Sequence, residues 1–230
     1  MNNKKISFNP QDNSQICVIG NGVMKMYRYA DGILKNYLTL KQDTHNFISH
    51  AWLPDEKLIA GTNRAELFLI QNCEILAEYK LYENISSDGN NNVYTILPFS
   101  KGFIAACGKG KAYLYEKIDD PKEFFGKKCD LKIPVDQYSN DPSKTEEQCI
   151  TSMCISPSEE TILIVTSWQQ IYQLVFSNID VGKTEAAEFE FMNNSYHHGS
   201  ITGVDVCIRK PLIATCSMDR SIRIWNFETG

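Results

Sequence analysis

Long apolar runs are missing from this chain. Nowhere in its 230 residues is there a stretch approaching the ~18 apolar positions of a membrane-spanning helix, so none is expected. The opening MNNKKISFNP lacks the apolar centre of a secretory leader, and the expected compartment is therefore the cytosol. Positive charge is not in excess either. A formal net charge of -5 argues against a general nucleic-acid binder. There are eight cysteines, but no Cys-x-x-Cys pair and no regular spacing. A zinc site or disulfide framework is thus not expected, and Cys17, Cys107, Cys154, Cys207 and Cys216 read as small buried hydrophobes of a reducing compartment. Heptads are absent, so the chain carries no coiled coil. No G-x-S-x-G elbow occurs, and GKGK at 108–111 is a hairpin turn rather than a phosphate loop. No catalytic residue, cofactor, metal or small-molecule substrate is expected from these patterns.

What the chain does have is short alternating strands, repeated. VMKMYRY (23–29), ELFLIQN (66–72), KAYLYEK (111–117), QIYQLVF (170–176) and SIRIWNF (221–227) share one pattern. With Met26, Leu69, Leu114, Leu174 and Ile224 placed in register, the first two intervals match a repeat of ~40–45 residues, and the later two imply insertions. Each strand follows an apolar run: QICVIG, KLIAGT, GFIAAC, TILIVTS or PLIATCS. A further strand precedes each run, and Pro10, Pro54, Pro98 and Pro157 are placed where those ladders stop. More polar outer strands fall at ILKNYLTL, EILAEYKL, CDLKIPV and EFEFMN. The stretches 118–148 and 177–187 exceed the minimal unit; the second could hold a helical turn or two.

The residues 197–230, HHGSITGVDVCIRKPLIATCSMDRSIRIWNFETG, resemble a WD-repeat. That resemblance implies an all-β fold, a WD-repeat β-propeller of about five blades, at 4–40, 46–82, 92–135, 149–192 and 197–230. Consecutive sheets are expected to cover one another's apolar faces. The fifth unit lacks an outer strand, so the ring is expected to be incomplete, and either the natural protein extends further at both ends or the chain is a short gene product. By the same resemblance His197, Ser217, Asp219 and Trp225 form a structural hydrogen-bonded tetrad: Asp219 accepts from His197, His197 reaches Ser217, and Ser217 meets the Trp225 indole. The other units lack this set, with Asn21, Arg64 and Gln169 at the Asp position and Tyr27 at the first Trp position, and are expected to rely on apolar packing.

The strings SFNPQDNSQICVIGNGVMKMYRY, AWLPDEKLIAGT, YSNDPSKTEEQ and CISPSEET, with the last unit, are similar to the propeller region of the cilia- and flagella-associated protein 57 family. The likeness covers nearly the whole chain. It implies a non-enzymatic axonemal scaffold whose partners are inner-arm dyneins, the regulatory complexes and doublet-microtubule components, with no nucleic acid and no membrane. The 136–148 loop is a candidate partner contact through Tyr138, Asn140, Asp141 and Lys144. A generic adaptor, such as a ubiquitin-ligase substrate receptor, is the alternative. The Trp-Asp-x-Arg such receptors often carry is absent, since Trp225 is followed by Asn226.

Overall fold

A computed structural model describes residues 5–40, 45–81, 91–120, 123–134, 148–179, 186–192 and 196–229. The described chain folds into five small sheets, antiparallel but for one pairing. Sheet one holds β1 (Lys5–Phe8), β2 (Gln15–Gly20), β3 (Val23–Ala30) and β4 (Ile33–Thr39). Sheet two holds β5 (Phe47–Trp52), β6 (Leu58–Thr62), β7 (Glu66–Gln71) and β8 (Glu74–Lys80). Sheet three begins with β9 (Thr95–Phe99), β10 (Gly102–Cys107), β11 (Lys111–Lys117) and β12 (Phe125–Lys132). In sheet four, β13 (Ile150–Ile155), β14 (Thr161–Thr166) and β15 (Ile171–Val175) run in order, followed by a single 3₁₀ turn at Phe176–Asn178. The segment after it divides its pairing. β16 (Ala187–Glu188) joins β12 in parallel, and β17 (Glu190–Phe191) joins β15 antiparallel, so one strap serves two sheets. Sheet five has three strands, β18 (Ile201–Val206), β19 (Leu212–Ser217) and β20 (Ile222–Asn226).

The alternation read from the sequence explains how the sheets stack. Opposite faces of a strand carry alternate residues, so each central sheet has two apolar faces. Cys17, Met24 and Met26 of sheet one share a core with Leu58, Phe68 and Ile70 of sheet two. The other face of sheet two, Ile59, Leu67 and Leu69, packs on Phe103, Tyr113 and Tyr115 of sheet three. Ile104 and Leu114 on the far side of sheet three meet Ile162, Ile164, Tyr172 and Leu174 of sheet four. Sheets that cover one another in sequence give a propeller arc, and the ring does not close: the outer face of sheet one leaves Ile6 and Phe8 67% and 60% exposed.

Four expectations need correction. Leu174 does not share the face of Met26, Leu69 and Leu114. Those three look toward the next sheet, whereas Leu174 looks back toward the preceding one. A slip of one residue inverts every side chain of a strand, and here the residue that takes the forward face is Gln173. Pro98 does not stop its ladder but lies within β9, paired with Phe103. That is allowed because β9 is the inner edge of its sheet, where a missing N–H costs nothing. Of the cysteines expected to be buried, Cys17 and Cys107 are, but Cys154 and Cys207 are exposed and Cys216 is half-buried; all eight are free thiols. Sheet five, finally, contributes to none of the three cores among the described residues. Ile222 and Ile224 stand 78% and 70% exposed on one face of it, and Val204 63% on the other.

Candidate functional site

Sheet five holds its most ordered chemistry at one end. β19 and β20 pair with Ile213 opposite Trp225 and Thr215 opposite Arg223. Trp225, Ile213 and Thr215 therefore lie on one face, with Thr215 one diagonal step from the indole. The Trp225 Nε1–H donates to Thr215 Oγ1 at 2.7 Å. Thr215 Oγ1 lies 2.8 Å from His197 Nε2, and His197 Nδ1 lies 3.0 Å from Asp219 Oδ2. The proton order follows from the donors. The indole can only donate and the carboxylate can only accept, so the hydroxyl proton goes to Nε2 and the imidazole proton resides on Nδ1. Each member is thereby satisfied in one direction, from Trp225 to Asp219.

The structure thus joins His197, Asp219 and Trp225, but not through Ser217. Ser217 lies on the same face as Thr215, two residues further from Trp225, and a strand rises ~3.3 Å per residue. It is out of the indole's reach, pairs opposite Ile201 and accepts from the Asp219 N–H at 3.3 Å. Sequence reasoning also missed Ser221. Its hydroxyl donates to Asp219 Oδ1 at 2.7 Å and its N–H to the same oxygen at 2.9 Å. A Ser two residues after an Asp is the signal of an Asx turn, and Asp219-Arg220-Ser221 carries it. Burial by itself would push the Asp219 carboxyl up. Hydrogen bonds from the Ser221 side chain and backbone, from His197 and from the His198 N–H outweigh it and hold the group well below the usual carboxylate range.

A second relay of the same chemistry spans two sheets. The Trp52 Nε1–H of β5 donates to Ser7 Oγ of β1 at 2.9 Å, and Ser7 Oγ lies 2.5 Å from His50 Nε2. Sheets one and two are therefore not held by apolar packing alone. His50 Nδ1 is buried and has no partner. Burial first, and the nearby Lys5 charge second, draw this imidazole down to about 4, so it is neutral. Lys5 itself crosses toward sheet three and donates to the Tyr94 carbonyl at 2.9 Å.

Sheets four and five meet through polar and aromatic contacts. Gln170 Nε2 donates to the Tyr196 carbonyl at 2.8 Å, and the Tyr196 N–H returns to Gln170 Oε1 at 2.7 Å. The Trp168 and His198 rings stack at 5.0 Å. Among the described residues no cluster of three or more His, Cys, Asp or Glu could hold a metal ion. Tyr138, Asn140, Asp141 and Lys144, the candidate partner contacts, lie outside the described residues.

Small sheets of three to five strands, four of them stacked face to face, with a His–Thr–Trp relay in the last unit define the class: the chain is a WD-repeat β-propeller segment. The family model "WD domain, G-beta repeat" matches residues 190–226. The β-propeller domain of Cps50 (Swd1) from Myceliophteria thermophila superposes with a TM-score of 0.57 over 96% of this chain and 69% of that one, at 12% identity, a likeness of fold alone. More particularly, the chain is homologous to a part of cilia- and flagella-associated protein 57. It is 37% identical over 264 residues to the mouse protein of that name, covering 98% of this chain and 21% of the relative. Cilia- and flagella-associated protein 57 A of Tetrahymena thermophila is 32% identical over 235 residues, covering 96% of this chain and 17% of that protein. The chain thus spans about a fifth of the length of these relatives.

Proposed function

We propose that this chain is a non-enzymatic interaction segment of the ciliary axoneme, where it helps to assemble or position inner-arm dyneins on the doublet microtubules. The observation that carries the reading is its likeness, over nearly all its length, to proteins named as associated with cilia and flagella. The geometry supports a scaffold rather than a catalyst. The Ser, His and Asp side chains of sheet five that could suggest a hydrolase are spent on one another: both His197 nitrogens are engaged and its side chain is 4% exposed. A nucleophile and its base must be open to substrate, whereas Thr215, the hydroxyl that faces His197, is buried and accepts from the Trp225 indole. The WD-repeat architecture supplies a rigid surface whose connecting turns are free to differ, which suits protein–protein contact.

Cross-linking mass spectrometry on isolated axonemes tests the reading. Cross-links from rim lysines to inner-arm dynein subunits are the expected result. Cross-links confined to cytosolic proteins, or absence of the protein from purified axonemes, would overturn it.

A further inference from the structure

The geometry points to the rim notch between sheets two and three as a docking site for an extended acidic segment of a partner protein, with Lys101 as its principal charge contact. This deepens the protein-binding reading above by naming the chemistry of a partner.

The notch is a cavity of about 210 Å³. Its floor is apolar: Leu53 and Phe125 are buried, and Phe124 is half-buried. Gly102 also lines it, a position kept to glycine by the close approach of the next strand, since a Cβ there would stand 2.0 Å from the Tyr115 carbonyl oxygen. Three lysines surround the mouth, Lys57, Lys101 and Lys117, against one acid, Asp55. On a chain of net charge -5 this is a local reversal of sign. Asp55 neutralises little of it, because it lies 4.0 Å from Lys117 with both side chains about two-thirds exposed. Lys57 Nζ is held 5.0 Å above the Phe124 ring. Among the described residues neither Lys57 nor Lys101 enters an ion pair.

The walls are built rather than incidental. One is the turn Pro54–Lys57, in which Asp55 and Glu56 both take left-handed backbone, φ 62° and 55°. Such a pair normally calls for Asn-Gly, and non-glycine residues bear strain of ~1 kcal/mol or more each. The other wall is the Ser100–Lys101 turn. Glu159 of sheet four, itself at φ 56°, accepts from the Ser100 N–H at 2.9 Å and from the Ser100 hydroxyl. That carboxylate is spent on the backbone turn, and the turn presents Lys101 to solvent. A second cavity, about 320 Å³, opens on the far side of the same turn, where Phe99, Phe176 and Ile179 are joined by Glu116 and Glu159. Lys101 thus stands on a ridge between a lysine-lined notch and one that carries two acids. A strand-like peptide fits the first of them, with an apolar side chain on its floor and a carboxylate over Lys101. Clamping the turn in advance lowers the ordering cost of binding.

The experiment is selection from a displayed random peptide library on the immobilised 230-residue protein, followed by fluorescence anisotropy with the enriched peptides. Enriched sequences are expected to carry Asp or Glu close to an apolar residue. Lys101→Glu should weaken them by about tenfold or more, Lys101→Arg should retain them, and added salt should weaken binding to the parent protein. Lys210→Glu, a charge change on sheet five, should leave binding unchanged. Enrichment of peptides without acidic bias, no enrichment, or undiminished binding to a Lys101→Glu protein of native circular dichroism would overturn the proposal. The two readings fail separately. Peptide capture with no axonemal cross-links leaves the notch standing and removes the dynein role, and the converse removes the notch.

Discussion

Thr215 sits where a hydroxyl must both accept from an indole and donate to an imidazole, and this makes it the least replaceable residue of sheet five. Thr215→Val keeps the shape but leaves Trp225 Nε1–H and His197 Nε2 without partners. It should cost about 1–3 kcal/mol, read as a lower urea midpoint, and Ser217→Ala should cost less. If Ser217→Ala proves the more damaging, the relay is misassigned. The pairing of His197 with Asp219 and Trp225 was legible in the sequence through the resemblance of the last unit to a WD-repeat. The middle hydroxyl was not, because Thr215 and Ser217 have the same parity and only the pairing of β19 with β20 shows which is in reach. The trans-sheet relay of Ser7, His50 and Trp52 was invisible for another reason: its members come from two units, and no motif spans them.

The two histidine networks also respond to acid in different windows. His50 is depressed to about 4 against an ordinary value near 6.5, so the unfolded chain binds the proton first. The stability permitted by neutral His50 is present above the unfolded value and is lost as pH falls from about 6.5 toward about 4. His50→Gln should therefore flatten the loss of urea stability between pH 7 and 5. Asp219 is depressed too, but it is an acid, so its contribution is present above its unfolded value of about 4 and is lost only below that. The penalty of Asp219→Asn should be the same at pH 7 and 5 and should shrink only at stronger acidity.

At the level of elements, strands were far more legible than their faces or their turns. Alternation located the strands of all five sheets because burial on a pleated surface demands it. It could not detect that β15 is displaced by one position, since QIYQLVF reads acceptably in either parity. Turn strain was equally hidden. Asp31-Gly32 follows the rule for a left-handed pair, φ 54° and 75°, whereas Asp55-Glu56 does not. Replacing Asp55-Glu56 with Asn-Gly should raise stability by about 1 kcal/mol or more, measured by chemical denaturation. Sheet five, with its polar and aromatic attachment, should open more readily than the central sheets. Hydrogen exchange should be faster for amides of β18–β20 than for those of β6 and β10, whose residues are wholly buried.

For the whole molecule, the decisive feature is that both ends of the arc expose apolar faces, Ile6 and Phe8 on one and Ile222 and Ile224 on the other. Patches of this kind are normally covered in a stable assembly. The isolated chain should therefore associate with rising concentration in sedimentation velocity, and Ile222→Lys/Ile224→Lys should reduce that association without lowering the urea midpoint. The propeller class was legible from the last unit alone, because one such sheet cannot bury its own faces. The gap in packing before sheet five was not, because it depends on how faces meet rather than on which residues they carry.

The strap at 187–191 ties the rims of sheets three and four with only two paired residues to each. Between those ladders Phe189 is 1% exposed and lies in the core that sheets three and four share. Under a pulling load the strap would therefore act as a rivet: its short ladders could not part without drawing Phe189 out of that core, so the two blades would yield together.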